Sequence, residues 1–166
     1  MARTSYEERG AKFARYLFKT IFKGCRTLGQ YRDAINKYNK THTRKLVWKH
    51  GASRIAIIRS DYVIKIEYGT GKNWAGGNKS EKEIYDLAVK DKMEHLFAKT
   101  TLIKINSRVI SIMPKVNHIR NYDRWWEDYC TDTERAWLWN HVADLHRGNV
   151  GYKRNKICIV DYAYVA

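Results

Sequence analysis

Proline is all but missing from this chain. Pro114 is the only one in 166 residues, and neither an internal repeat nor a low-complexity linker accompanies it. Nothing divides the sequence into tethered modules, so its length suits one domain, or two small lobes around one cleft. Cysteines are few as well: Cys25, Cys130 and Cys158 are odd in number and widely spaced, which excludes a disulfide framework and leads us to expect reduced thiols in a cytoplasm. No apolar run approaches the roughly 20 residues of a membrane span. The start, MARTSYEERG, lacks the apolar core of a signal peptide. Acidic residues are scarce, 17 against 32 Lys and Arg, and the net charge of +15 surrounds the chain with a positive field. That field suits anionic partners, whether nucleic acid, nucleotide or an acidic protein, and charge alone does not choose among them.

What is abundant is apolar material. Hydrophobic residues make up 44% and aromatics 13%, which excludes wholesale disorder. From Tyr6 to Lys23, Phe13, Leu17, Thr20 and Ile21 recur at helical spacing among Arg and Lys, predicting a basic amphipathic helix. A second, shorter helix is expected over Tyr31 to Tyr38. This pair either packs on the main domain or contacts nucleic acid directly. The texture changes at Lys45, where KLVWKHG, RIAIIRS and DYVIKIEYG read as three antiparallel strands. A Gly- and Asn-rich loop, GTGKNWAGGNKS, follows. Its Ser80 is expected to cap the helix EKEIYDLAVKDKMEHL, with Glu83 completing a capping box. TTLIKI and RVISIMPKV then form a hairpin about the turn NS, ended by Pro114. NYDRWWEDY through TERAWLWNHVADLH reads as mostly helical, with Trp125, Trp126, Trp137 and Trp139 filling core rather than stacking on bases. Two strands around YKRNK close the chain.

Three polar residues stand out against this background. Asp144 and Asn149 form D-x-x-x-x-N in DLHRGN, after a predicted helix, and Asp161 ends the apolar strand KICIVD twelve residues later. Upstream, Lys65 lies in the third strand, YVIKIEY. Together and in this order they resemble the protein-kinase-like superfamily, whose catalytic loop, metal-binding Asp and strand Lys have this spacing. DLHRGN is similar to the DLHxGN form of aminoglycoside and choline kinases and of bacterial and bacteriophage kinase-like proteins. The resemblance covers about residues 45 to 163.

The resemblance implies an α+β, two-lobed kinase-like fold: a basic helical extension over 1–44, a five-stranded N-lobe with one αC-like helix over 45–116, and an abbreviated C-lobe over 117–166 that stops just after DYA. It implies ATP and magnesium as cofactors. Asp144 would orient or accept a hydroxyl proton, Asn149 and Asp161 would hold magnesium, and Lys65 would hold the α- and β-phosphates. Gly51, Ser53, Met113 and Lys115 join Lys65 in the nucleotide-binding set. The lysine's helix partner is Glu81 or Glu83. We choose Glu81, because Ile84, Tyr85 and Ala88 follow it on one apolar face, whereas Asp86, Leu87 and Lys90 follow Glu83.

Departures from the family pattern set further expectations. GASRIAI holds one glycine, Gly51, where eukaryotic kinases carry three. Ala143 precedes Asp144 in place of Arg, and DYA stands for DFG. With no activation segment after it, peptide selection is expected from the basic N-terminal helices or from an oligomer. The stripe Phe13, Leu17 and Ile21 is expected to pack on the lower lobe. His141 and His146 near Asp144 lack the HExxH or clustered Cys of a zinc site. The expected activity is phosphoryl transfer to Ser or Thr of proteins, host proteins in the phage case, or to the chain itself. The alternative is a pseudokinase scaffold whose basic surface blocks a host protein or nucleic-acid complex. The protein partner is expected to be acidic or nucleic-acid-associated, the setting cytoplasmic, with no membrane involved.

Overall fold

The structure, a computed structural model, describes residues 4–69, 76–153 and 156–162. Residues 70–75 of the Gly- and Asn-rich loop, 154 and 155 of the last turn, and everything after Tyr162 lie outside the described residues.

β-branched runs separated by Gly, Ser and Asp pair in sequence as β1 (Val47–His50), β2 (Arg54–Ile58) and β3 (Tyr62–Glu67). The hairpin β4 (Thr101–Ile105) and β5 (Arg108–Pro114) joins them, giving an antiparallel sheet of order β1-β2-β3-β5-β4. Its turn residues Asn106 and Ser107 have φ of 47° and 65°, the left-handed pair that matches the twist of a tight hairpin.

Register decides which side chains share a face. Ile64 lies opposite Ile57 and Ile112, and Ile66 opposite Ile55 and Ile110, so one face is a block of fully buried isoleucines. Lys65 lies opposite Ala56 and Ser111, Arg54 opposite Glu67, and Val63 opposite Met113. The second face is therefore polar at its centre.

The isoleucine face is covered by the N-terminal helices. Helix α1 (Tyr6–Tyr16) runs on as a π-helical turn over Leu17–Ile21, and α2 (Leu28–Thr41) follows. Each starts at a capping box, Ser5 with Glu8 and Thr27 with Gln30, which satisfies otherwise orphaned N–H groups. The cap at Thr27 also explains why α2 begins earlier than its apolar residues suggest. Gly10, Ala14, Leu17, Phe18 and Phe22 face inward, whereas Phe13 and Ile21 are half-buried and Thr20 is exposed. The expectation of a Phe13, Leu17 and Ile21 stripe on the lower lobe is thus corrected twice. The wide π turn shifts the helical phase, bringing Phe18 and Phe22 inward. The surface that the stripe meets is the sheet, with which Leu17, Phe18, Tyr31 and Ile35 form one core.

Helix α3 (Gly77–Lys90) packs on the opposite, polar face. It begins before the expected Ser80 cap, and Ser80 sits inside it, its N–H donating to the Gly76 carbonyl at 2.8 Å. The cap comes from another strand: the Glu67 carboxylate accepts the N–H groups of Gly76 and Asn78 at 3.2 and 2.6 Å. An acid at a helix N-terminus also suits the helix dipole. The helix ends at Lys90, short of the expected MEHL, where Lys92 takes a left-handed φ of 61°.

Beyond the sheet, β6 (Asn117–His118), β7 (Val150–Lys153) and β8 (Lys156–Ile159) form a smaller sheet in that order. Helix α4 (Tyr122–Arg124) continues as a π turn over Trp125–Tyr129, and α5 (Asp132–His141) starts at a Thr131–Glu134 capping box. Trp125, Trp137, Leu138, Ile159 and Tyr162 pack with Ile84 and Ala88 of α3 in a second core. Of the four tryptophans assigned to core, Trp139 is instead 79% exposed. No helix among the described residues is long and apolar enough to cross a membrane.

Candidate functional site

An ammonium group in the middle of a sheet face needs partners, since an unpaired buried charge is costly. Lys65 is 9% exposed, and its Nζ donates to Glu81 Oε1 and to the Val160 carbonyl, each at 2.6 Å. Asp161 Oδ1 lies 3.6 Å away. Glu81 reaches this point because the helical period puts it with Ile84 and Ala88 on the buried side of α3, while Glu83 is exposed. Just beyond Asp161, the buried Tyr162 hydroxyl donates to the Ala98 carbonyl at 2.7 Å and meets Thr100 Oγ1 at 2.6 Å. These bonds fix the backbone that carries Asp161.

A residue that sequence reasoning missed completes the cluster. Arg54, at the start of β2, contacts Glu81 Oε1 at 3.0 Å and Asn78 Oδ1 at 3.3 Å, and pairs with Asp161 Oδ1. Asn78, also missed, is fully buried, and its amide donates to the carbonyls of Lys65 and Val109 at 3.0 and 2.9 Å. It stitches α3 to β3 and β5. The signal was faint: in RIAII the isoleucines at 55 and 57 define one face and leave Arg54 and Ala56 on the face of Lys65. Register through the β2–β3 turn was needed to see it.

Two cations thus face two carboxylates. Burial works to raise the Asp161 carboxyl, but Lys65 and Arg54 beside it hold it below its ordinary value. For the wholly buried Glu81, burial prevails over the same two cations and pushes its carboxyl up. Glu81 Oε2 and Ser111 Oγ are buried without a hydrogen-bond partner among the described residues.

The loop after α5 supplies the rest. Asn149 Nδ2 donates to the Asp144 carbonyl at 2.7 Å, and the Asn149 carbonyl accepts from Val160 N at 2.8 Å. The five-residue spacing of DLHRGN is therefore a closed turn that ties Asp144 to the strand leading to Asp161. His146 Nδ1 accepts from Gly148 N at 3.0 Å, and its Nε2 lies 3.8 Å from Asp144 Oδ1. The Asp144 carboxylate is largely exposed and has no ion pair with Lys65 or Arg54. His141 Nδ1 bonds to the Trp137 carbonyl at 2.8 Å within its own helix.

Two adjoining cavities open on this cluster. One, about 390 Å³, is lined by Gly51, Ser53, Arg54, Asp144, Asn149 and Asp161. The other, about 440 Å³, is lined by Ala56, Val63, Met113, Lys115, Val116 and Val160. Both share Lys49, Ala56, Lys65, Asn149 and Asp161. A more polar compartment and a more apolar one therefore meet at Lys65. With its amide nitrogen committed to the Asp144 carbonyl, Asn149 turns its oxygen away from that bond. Asn149 and Asp161 both line the two cavities, and an amide oxygen with a carboxylate is the kind of donor pair that suits a hard cation such as magnesium.

No family model matches the chain, and no curated protein matches it. Solved structures similar to it include a co-crystal of WbdD with the kinase inhibitor LY294002, at 16% identity and a TM-score of 0.44, covering 74% of this chain and 33% of that one. A medium-resolution structure of the bifunctional kinase-methyltransferase WbdD gives 17% identity and a TM-score of 0.43, covering 74% and 34%. A high-resolution WbdD crystal structure gives 16% and 0.37, covering 74% and 33%. The chain spans about a third of the length of these structures.

Proposed function

We propose that this chain binds ATP with magnesium in the paired cavities and transfers the γ-phosphoryl group to a protein hydroxyl. The observation that carries the reading is the buried Lys65–Glu81 pair at 2.6 Å, beside Asp161, at the junction of a polar and an apolar compartment. Such transfer depends mainly on positioning and on stabilising charge that spreads over the phosphoryl oxygens. Lys65, aimed by Glu81, holds the α- and β-phosphates, and the backbone around Gly51 and Ser53 lines their path. Met113 and Lys115 flank the apolar compartment, which takes the base. Asn149 and Asp161 hold magnesium, which when bound neutralises phosphate charge. Asp144 orients the acceptor hydroxyl and takes its proton as the oxygen–phosphorus bond forms and ADP leaves. Its exposure leaves it open to an incoming side chain.

The acceptor in this reading is a Ser or Thr of a protein, of a host protein if the chain is viral, or of the chain itself. The exposed Lys12 and Arg15 on α1 and Lys19 on the π turn that continues it give an acidic or nucleic-acid-associated partner a surface to meet. Incubation with γ-labelled ATP and magnesium is expected to label protein, and Asp144→Ala, Asp161→Ala and Lys65→Ala are each expected to abolish it. Equal labelling by wild type and Asp144→Ala overturns the reading. A second reading, a catalytically dispensable scaffold, draws on the Arg54–Asp161 pair, which neutralises the metal-binding carboxylate from within. Full biological activity of an Asp144→Ala, Asp161→Ala double variant would favour it.

A further inference from the structure

Arg54 raises a conflict that the proposed chemistry must resolve. Its guanidinium shares Asp161 Oδ1 with Lys65 and also contacts Glu81, with its side chain only 10% exposed. It nevertheless lines the polar cavity, beside Gly51 and Ser53. A divalent cation and a guanidinium cannot both sit on one carboxylate oxygen without strong repulsion. When a cation takes Asp161 Oδ1, Arg54 Nη2 loses that acceptor, while its Nη1 keeps Glu81 Oε1 at 3.0 Å and Asn78 Oδ1 at 3.3 Å. A phosphate-bearing ligand in that cavity offers new acceptors to the freed end of the guanidinium, a planar fork of N–H donors well shaped for phosphate oxygens. The segment between β1 and β2 that lines the cavity holds a single glycine, Gly51.

We infer that Arg54 is a phosphate-binding residue of this cleft that exchanges Asp161 for the nucleotide's phosphates as a divalent cation arrives. The inference rests on the nucleotide reading above. Arg54 then opposes a cation that comes alone and assists a nucleotide, so removing it must shift the two affinities in opposite directions. Loss of a purely structural bridge would weaken both.

The test measures Mn²⁺ binding without nucleotide, and binding of a fluorescent ADP analogue at saturating magnesium, on the full chain. Arg54→Gln is expected to tighten Mn²⁺ several-fold and to weaken the ADP analogue about 10-fold or more, the scale of a charge-assisted hydrogen bond. Arg54→Lys keeps the charge but loses the fork. It guards against a folding defect and is expected to weaken the analogue by less than Arg54→Gln while leaving Mn²⁺ binding close to wild type. If wild type binds the analogue and both variants bind it equally well, the Arg54 inference fails and the nucleotide reading stands. If both ligands weaken together in a variant with wild-type circular dichroism, Arg54 is structural and the inference fails. If wild type binds no adenine nucleotide with or without the cation, both the reading and the inference fall.

Discussion

On one face of the five-stranded sheet, Ile55, Ile57, Ile64, Ile66 and Ile110 lie fully buried in the core that α1 and α2 complete. On the other, the same strands present Arg54, Lys65 and Glu67, joined by Glu81 and Asn78 of α3. Strand alternation produces both faces, and their energetics differ. The isoleucine face is held by area, a sum of many small and separable terms. The charged face is held by completeness: each ion is tolerable only while its partners remain, and a well-packed apolar substitute would often be at least as stable. Stability alone therefore does not account for so many charges in a core, and the proposed chemistry would require them.

The largest effect is expected at the charged face. Glu81→Ala leaves Lys65 and Arg54 facing each other with only Asp161 between them, and should cost about 3 to 5 kcal/mol in urea unfolding. On the apolar face, Leu17→Ala should cost about 3 kcal/mol. Phe13→Ala should cost less, because that ring is half-buried beneath the Arg59 guanidinium, 4.3 Å from its centroid. A cost for Glu81→Ala below that of Leu17→Ala would break the contrast.

Smaller still is Gly10→Ala. A Cβ there would stand 2.7 Å from Ile112 Cγ2, a stiff β-branched methyl beneath α1. Overpacking of about 1 to 3 kcal/mol, set against a gain of roughly 1 kcal/mol in helix propensity, should leave a net loss of up to about 2 kcal/mol. A clear stabilisation would show that α1 sits further from the sheet.

A pH series sharpens the comparison. Burial pushes the Cys130 and Cys158 thiols up to about 11 from an ordinary 9.0. Since their folded values are raised, they contribute stability in full below pH 9, and it fades as pH rises from 9 through 11. Unfolding midpoints of a Cys130→Ala, Cys158→Ala variant should therefore decline less over that range than those of wild type. An identical decline would place the alkaline sensitivity elsewhere. The smallest effect belongs to the solvated side of α1 and its π turn, where Lys12→Glu with Lys19→Glu should leave stability within about half a kcal/mol while weakening any anionic partner in a salt-dependent way.

Much of this contrast was readable in the sequence because both periods are short-range. Alternation set the strands, and the helical period put Glu81, Ile84 and Ala88 on one side. What was not readable depends on register and on distant partners. Arg54 meets Asp161 across 107 residues of sequence, and nothing local to RIAII announces that contact. The start of α3 was misplaced because its cap, Glu67, lies on a strand nine residues before Gly76. The phase of α1 was misplaced because the π turn at Leu17–Ile21 leaves no mark in apolar spacing. Trp139 was assigned to core by residue type alone, and α5 turns it outward.

The measurement that bears most directly on the charged face is the thermal shift of the full chain with magnesium and ATP, on wild type and Lys65→Met. Ligand at about 100 times its Kd adds about 2.7 kcal/mol, which is several degrees for a chain of this size. That rise is expected in wild type and its loss in Lys65→Met, even if the variant is itself as stable as wild type. No rise in wild type, or an equal rise in Lys65→Met, would contradict it.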